Sequence, residues 1–112
     1  MIPLSVPNLI GKELKYLKKC VDTEFVSSVG SFVTRFERKI SNYTKSKYAV
    51  ACNSGTSSLH LALRVINCEK DNEVIVPTIT FAATINPIIY EKARPIFMDC
   101  DEYFNLDISK TL

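Results

Sequence analysis

Apolar positions recur with helical period in three places along the chain and crowd into short runs in three others. Leu14, Leu17 and Val21 line one side of a helix running from Lys12 to about Val21, whose other side carries lysines. Ser31 opens a second helix. There Phe32, Phe36, Ile40 and Tyr43 fall at i, i+4, i+8 and i+11, while Arg35, Arg38 and Lys39 face away. Leu59, Ala62, Leu63 and Ile66, at i, i+3, i+4 and i+7, define a third. The short runs Tyr48–Cys52, Glu73–Val76 and Ala93–Asp99 read as buried strands, and a further helix is expected from about Phe81 to Glu91. Pro87 sits awkwardly within that helix unless it lies in the first turns or marks a kink. Polar stretches at Asp22–Gly30 and Asn67–Asn72 are loops, and Pro3 and Pro7 hold the first residues extended.

Strand, helix, strand, helix, strand with short links is a βαβαβ order. It predicts an α/β fold with a largely parallel sheet and right-handed crossovers. Ligands of such sheets lie at the carboxyl ends of the strands, where Asn53–Thr56 and Thr78–Phe81 both fall. The stretch Asn53-Ser54-Gly55-Thr56-Ser57-Ser58 joins a strand directly to a helix. Hydroxyl and amide side chains there accept bonds from the helix's unpaired N–H groups, and those same N–H groups with the macrodipole attract a phosphate. Gly55 admits a close ligand, and the Thr56 hydroxyl can donate to it. An ordinary capped helix with no ligand explains the local pattern equally well.

A net charge of +2 over 112 residues gives no argument for nucleic acid, and the basic residues do not gather with aromatics on one stripe. The lysines of Lys12–Lys19 read as the wet face of a helix. Cys20, Cys52, Cys68 and Cys100 are widely spaced with no C-x-x-C pair and accompany a single histidine, so no metal site is expected and nothing points to a secreted disulfide framework. Cys52 and Cys100, inside apolar strand patterns, are expected to be buried free thiols. The start MIPLSVPNL lacks a signal-peptide pattern, and the uncharged run Val74–Tyr90 is too broken by prolines to span a membrane, so a cytoplasmic protein is expected. His60, with Arg64 four residues on, belongs to a polar helix flank and takes no catalytic role. The loop DTEFVSSVG inserts Phe25, Val26 and Val29 into a polar connector, which would tuck them under itself if the loop is merely structural.

The ordered set IPLSVPN, FVSSVGSFVTRFE, KYAVACNSGTSSLHLAL, DNEVIVPTITFAATINPIIY and ARPIFMD resembles the N-terminal part of the DegT/DnrJ/EryC1/StrS aminotransferases. These are pyridoxal-phosphate enzymes of nucleotide-sugar biosynthesis with the type I aminotransferase fold. The opening and the Ser-Ser-Val-Gly loop look most like the branch that aminates 4-keto sugars on the way to legionaminic acid, bacillosamine or perosamine. The resemblance implies that Ser54, Gly55 and Thr56 hold the cofactor phosphate. It also implies that Phe81 stacks on the pyridine ring, and that the loop Phe25, Val26, Ser27 and Ser28 lies near the sugar. Without the resemblance, Phe81 reads as a core phenylalanine. Residues 1–30 become an extended segment, a helix and a substrate-side loop, and residues 31–112 the start of the large cofactor-binding domain.

A transaminase also needs a lysine that binds the cofactor covalently and an acidic group on the pyridine nitrogen. In the family both lie beyond the matched region, and none of the ten lysines here sits in the covalent motif. No catalytic residue is therefore assigned in this chain. The resemblance implies the first third or so of an enzyme that uses a nucleotide sugar and an amino donor, expected to be glutamate, and that works as a homodimer without a metal. A dehydratase of the same family, with histidine replacing the lysine, and a non-catalytic remnant are the alternatives.

Overall fold

The computed structural model describes residues 2–111, in two compact units divided between Ala51 and Cys52.

The N-terminal unit contains helix α1 (Glu13–Asp22) and helix α2 (Ser31–Thr44). They meet through aromatics, the Tyr16 and Phe32 rings standing edge to face with centroids 5.4 Å apart. Neither helix buries a residue, so the apolar stripes anticipated from their periodicity form but remain bare. The loop between them does not tuck its apolar side chains away: Phe25, Val26 and Val29 are all largely exposed. Phe25 instead crosses Gly30, where a β-carbon would stand 3.4 Å from its ring.

Tyr48–Cys52, expected as a buried strand, is irregular and mostly exposed. A strand is stable only where a neighbour supplies N–H and C=O partners. No described segment pairs with this one, and the Ala51 amide donates to the Glu37 Oε1 at 2.9 Å instead.

The C-terminal unit runs α3 (Gly55–Val65), β1 (Glu73–Pro77), α4 (Ala82–Tyr90), β2 (Arg94–Met98) and the short α5 (Ile108–Thr111). Strands β1 and β2 pair in parallel from Glu73↔Arg94 to Pro77↔Met98, with α4 as the crossover. The Thr78 amide extends the ladder to the Met98 carbonyl at 2.9 Å. The α/β architecture with a parallel sheet is as expected, built on two strands among the described residues.

Its core is Cys68, Val76, Ile88 and Ala93, with Leu63 and Val74 packed against it. Two of these side chains are fixed by helix ends. At the end of α3, Asn67 is left-handed (φ 55°) and the Cys68 amide reaches back to the Leu63 carbonyl at 2.9 Å. At the end of α4, Lys92 is left-handed (φ 60°) and the Ala93 amide reaches the Ile88 carbonyl at 3.1 Å. This closing turn carries the residue after the left-handed one inward, against the last helical turn. The buried thiol is therefore Cys68, whereas Cys52 is exposed and Cys100 only half-buried, contrary to expectation. Cys52 has no strand to bury it, and Cys100 lies just past the end of β2. Pro87 stands inside α4, leaving the Ala83 carbonyl without its helical donor, but its ring is fully buried beside Ile88.

Two separately compact units of this total mass would expose about 7,500 Å². The chain exposes 9804 Å², so much of its apolar surface has no cover.

Candidate functional site

Ser54 is extended (φ −157°, ψ 160°) and caps α3. Its hydroxyl accepts the Ser57 amide at 3.2 Å, and its carbonyl accepts the Ser58 amide at 3.1 Å. That leaves the first two amides of the helix, those of Gly55 and Thr56, pointing outward with the positive end of the macrodipole behind them. A β-carbon on Gly55 would meet nothing within 4 Å, so the space in front of the helix is open. Thr56 is half-buried. Two amides without a partner among the described residues, a hydroxyl and a helix N-terminus form a donor set that fits a phosphate.

Phe81 stands at the equivalent place on α4, as its N-terminal flanking residue (φ −74°, ψ 145°). It is 80% exposed. The turn before it is braced by the Thr80 and Thr84 hydroxyls, 2.8 Å apart. Ser54, Gly55, Thr56 and Phe81 thus share the C-terminal unit, at the starts of two helices that pack on each other through Leu63 and Ile88. Phe25, Val26, Ser27 and Ser28 belong to the N-terminal unit, all exposed, with Phe25 and Ser27 lining a small cleft of about 70 Å³.

Glu91 was not singled out by its sequence. Its side chain is only 7% exposed, and it joins α4 to α3 through Oε1 to His60 Nε2 at 2.6 Å and Oε2 to Arg64 at 3.1 Å. The Tyr90 ring meets the His60 ring edge-on at 5.5 Å. Desolvation raises the Glu91 pKa, but the hydrogen bonds and charges of Arg64 and His60 outweigh it and hold the carboxyl below its ordinary value. The i, i+4 spacing of His60 and Arg64 signals a shared face; their common partner, 27 residues beyond Arg64, becomes visible only when the helices pack.

The family model described as the DegT/DnrJ/EryC1/StrS aminotransferase family matches residues 7–111. The chain belongs to this family. Over 110 residues it is 43% identical to the GDP-perosamine synthase of Caulobacter vibrioides, covering 97% of this chain and 30% of that protein. The crystal structure of the aminotransferase from Psychrobacter cryohalolentis superposes with a TM-score of 0.80 at 31% identity, over 89% of this chain and 26% of that one. The E. coli GDP-4-keto-6-deoxy-D-mannose-3-dehydratase with bound hydrated PLP gives 0.82 at 26% identity, over 96% and 29%. The chain spans about 30% of the length of the GDP-perosamine synthases of Caulobacter vibrioides and Escherichia coli O157:H7.

Proposed function

We propose that this chain supplies the phosphate-holding part of a pyridoxal-phosphate site, in an aminotransferase that moves an amino group from glutamate to a keto carbon of a nucleotide-linked 4-keto sugar. The observation that carries this reading is the open start of α3, where Ser54 occupies two amides and leaves those of Gly55 and Thr56 to an anion. The Gly55 and Thr56 amides and the Thr56 hydroxyl bind the phosphate. Phe81, free of other packing, offers its flat face to the pyridine ring and excludes water from that side. Phe25, Val26, Ser27 and Ser28 contribute an exposed loop with two hydroxyls toward the sugar.

When bound, pyridoxal phosphate supplies the electron sink that allows an amino group to leave one carbon and join another. The lysine and the acidic group that complete the site correspond to the part of the relatives that this chain does not span. Residues 31–112 are read as the start of the cofactor domain, and the working assembly as a cytoplasmic homodimer. The test is a chimera that continues this chain with the remaining length of the Caulobacter enzyme, supplied with pyridoxal phosphate, glutamate and GDP-4-keto-6-deoxymannose. Formation of 2-oxoglutarate with an aminated sugar is expected, and its absence with every 4-keto nucleotide sugar would overturn the reading.

Dehydration is the second reading, favoured by the superposition on the E. coli dehydratase. The discriminating residue is the one at the covalent position: lysine supports transfer and histidine supports dehydration.

A further inference from the structure

Helices α3 and α4 pack on each other through Leu63 and Ile88, and apolar contacts of this kind attract without direction. They hold the helices together but specify the height of α4 along α3 only loosely. The carboxylate of Glu91 is stricter. Its Oε1 accepts from His60 Nε2 at 2.6 Å and its Oε2 from Arg64 Nη1 at 3.1 Å, and the two donors stand four residues apart on α3. About one helical turn separates them, a rise of about 6 Å. A carboxylate that satisfies both at once is held at one height, because sliding α4 by part of a turn breaks one bond or the other.

Stability does not by itself call for a carboxylate here. Breaking a shielded ion pair is destabilising, but replacing the whole group by apolar side chains of similar volume often is not, since taking the charges out of water costs as much as their attraction returns. What such a pair supplies and apolar contact does not is one register among several. In this unit the register relates two functional points. Gly55 and Thr56 open α3 one turn before His60, while Phe81 stands at one end of α4 and Glu91 at the other. A helix carries an axial shift along its length, so a displacement at Glu91 reappears at Phe81. The link is braced at its weaker points. The Thr80 and Thr84 hydroxyls, 2.8 Å apart, fix the turn around Phe81, and Pro87, which costs α4 a backbone bond, has its ring fully buried.

We propose that Glu91, held by His60 and Arg64, is a positioning residue of the cofactor site, a role that rests on the pyridoxal-phosphate reading. By fixing the height of α4 on α3, it sets Phe81 at the separation from the Gly55 and Thr56 amides that lets one cofactor use both. A phosphate alone needs only the start of α3, whereas the pyridine ring needs Phe81 as well. Glu91 therefore governs the ring's share of binding and not the phosphate's. His60 takes its part through Glu91, and that part is not catalytic.

Equilibrium dialysis on the cofactor-free chimeric enzyme tests this with two probes, inorganic phosphate and pyridoxamine phosphate, which cannot bond covalently to the lysine. Glu91→Gln puts an amide N–H where an oxygen accepts, and Glu91→Asp keeps the charge but is too short to reach both donors. Each should weaken pyridoxamine phosphate about fivefold or more, the scale of a lost stacking contact, and leave phosphate within about twofold. On a Phe81→Ala background, which lacks the stacking face, Glu91→Gln should weaken pyridoxamine phosphate no further, because residues that act through one another are not additive. If Glu91→Gln loses its cooperative thermal melt, Arg64→Met carries the test with a smaller loss in the same direction, since the Arg64 side chain is 68% exposed. Three results would each overturn the proposal. These are unchanged pyridoxamine phosphate affinity in the folded variants, an equal loss of phosphate affinity, or an undiminished effect of Glu91→Gln on Phe81→Ala, which would make Glu91 a structural residue alone. Failure of the unsubstituted chimera to bind either probe would overturn the cofactor reading itself, and this role with it.

Discussion

Glu91 reaches from the end of α4 to His60 on α3, its Oε1 2.6 Å from the ring Nε2. With the second oxygen on Arg64, the carboxylate ties together the two helices whose starts carry Gly55–Thr56 and Phe81. Its folded-state pKa lies below the ordinary 4.5. The unfolded chain thus binds this proton more readily than the folded one, and the tie contributes stability above the ordinary carboxylate range that is lost as pH falls through the lowered value. Glu91→Gln keeps the volume and removes the charge. In the chimeric enzyme it should lower the melting temperature at neutral pH and flatten the acid side of the stability profile, with wild type and variant converging at low pH. Asp99 and Asp107 are also lowered, chiefly by the hydrogen bonds from Lys110 and Ser109 respectively, so the difference between wild type and variant is the quantity to measure. Parallel urea curves with the same pH slope would show that Glu91 does not titrate as argued.

Thr56→Val removes a hydroxyl at nearly constant volume. In the chimeric enzyme it should weaken pyridoxal-phosphate binding by about 1.5–3 kcal/mol, the worth of a hydrogen bond to a charged group. Equilibrium dialysis and thermal melting separate the roles. Unchanged affinity with a collapsed melting temperature would make Thr56 part of the helix start and nothing more.

What the sequence disclosed, and what it did not, divides by range. Helices α2 and α3 and the β1–α4–β2 unit were legible because periodicity of 3.6 and short β-branched runs such as Val74–Val76 are local signals. Tyr48–Cys52 has the same local character, yet a strand also requires a neighbour, which local pattern does not report. The Ser54 cap was readable from the cluster of hydroxyls, and the exposure of Phe81 followed only from where α4 begins. Cys68 and Ala93 escaped notice because their burial is set by the left-handed residue before each, and Lys92 carries no mark of that role. The grouping of Lys15, Lys19 and Arg35 with Tyr16 and Phe32 around one recess depends on how α1 meets α2, for which the periodicities of the separate helices give no register.

Lys92 offers a test of the helix-end argument. A side chain in the left-handed region costs roughly 1–2 kcal/mol, which glycine avoids at some expense in unfolded-state entropy. In the chimeric enzyme, Lys92→Gly should therefore be stabilising by about 1 kcal/mol, seen as a higher urea midpoint, whereas Lys92→Ala should not. A loss of stability in Lys92→Gly would mean that the turn placing Ala93 in the core is not closed as described.

Assembly follows from the uncovered surface. Parallel strands are ordinarily covered on both faces and paired on both edges, and a two-stranded sheet is marginal alone. Here Ile75 and Phe97 are about half exposed on paired strands, and Leu14, Leu17, Val21, Phe36 and Tyr43 are bare on the helices. Apolar surface left bare in this way in each unit seeks cover, either from more chain or from another molecule. The 112-residue chain alone should bind an apolar dye and elute as polydisperse aggregates, and the chimeric enzyme as a dimer of defined mass with dye binding suppressed. Size-exclusion chromatography with light scattering decides it. If the 112 residues run as a soluble monomer with a cooperative melt, the bare stripes are tolerated in water and the argument from missing cover fails.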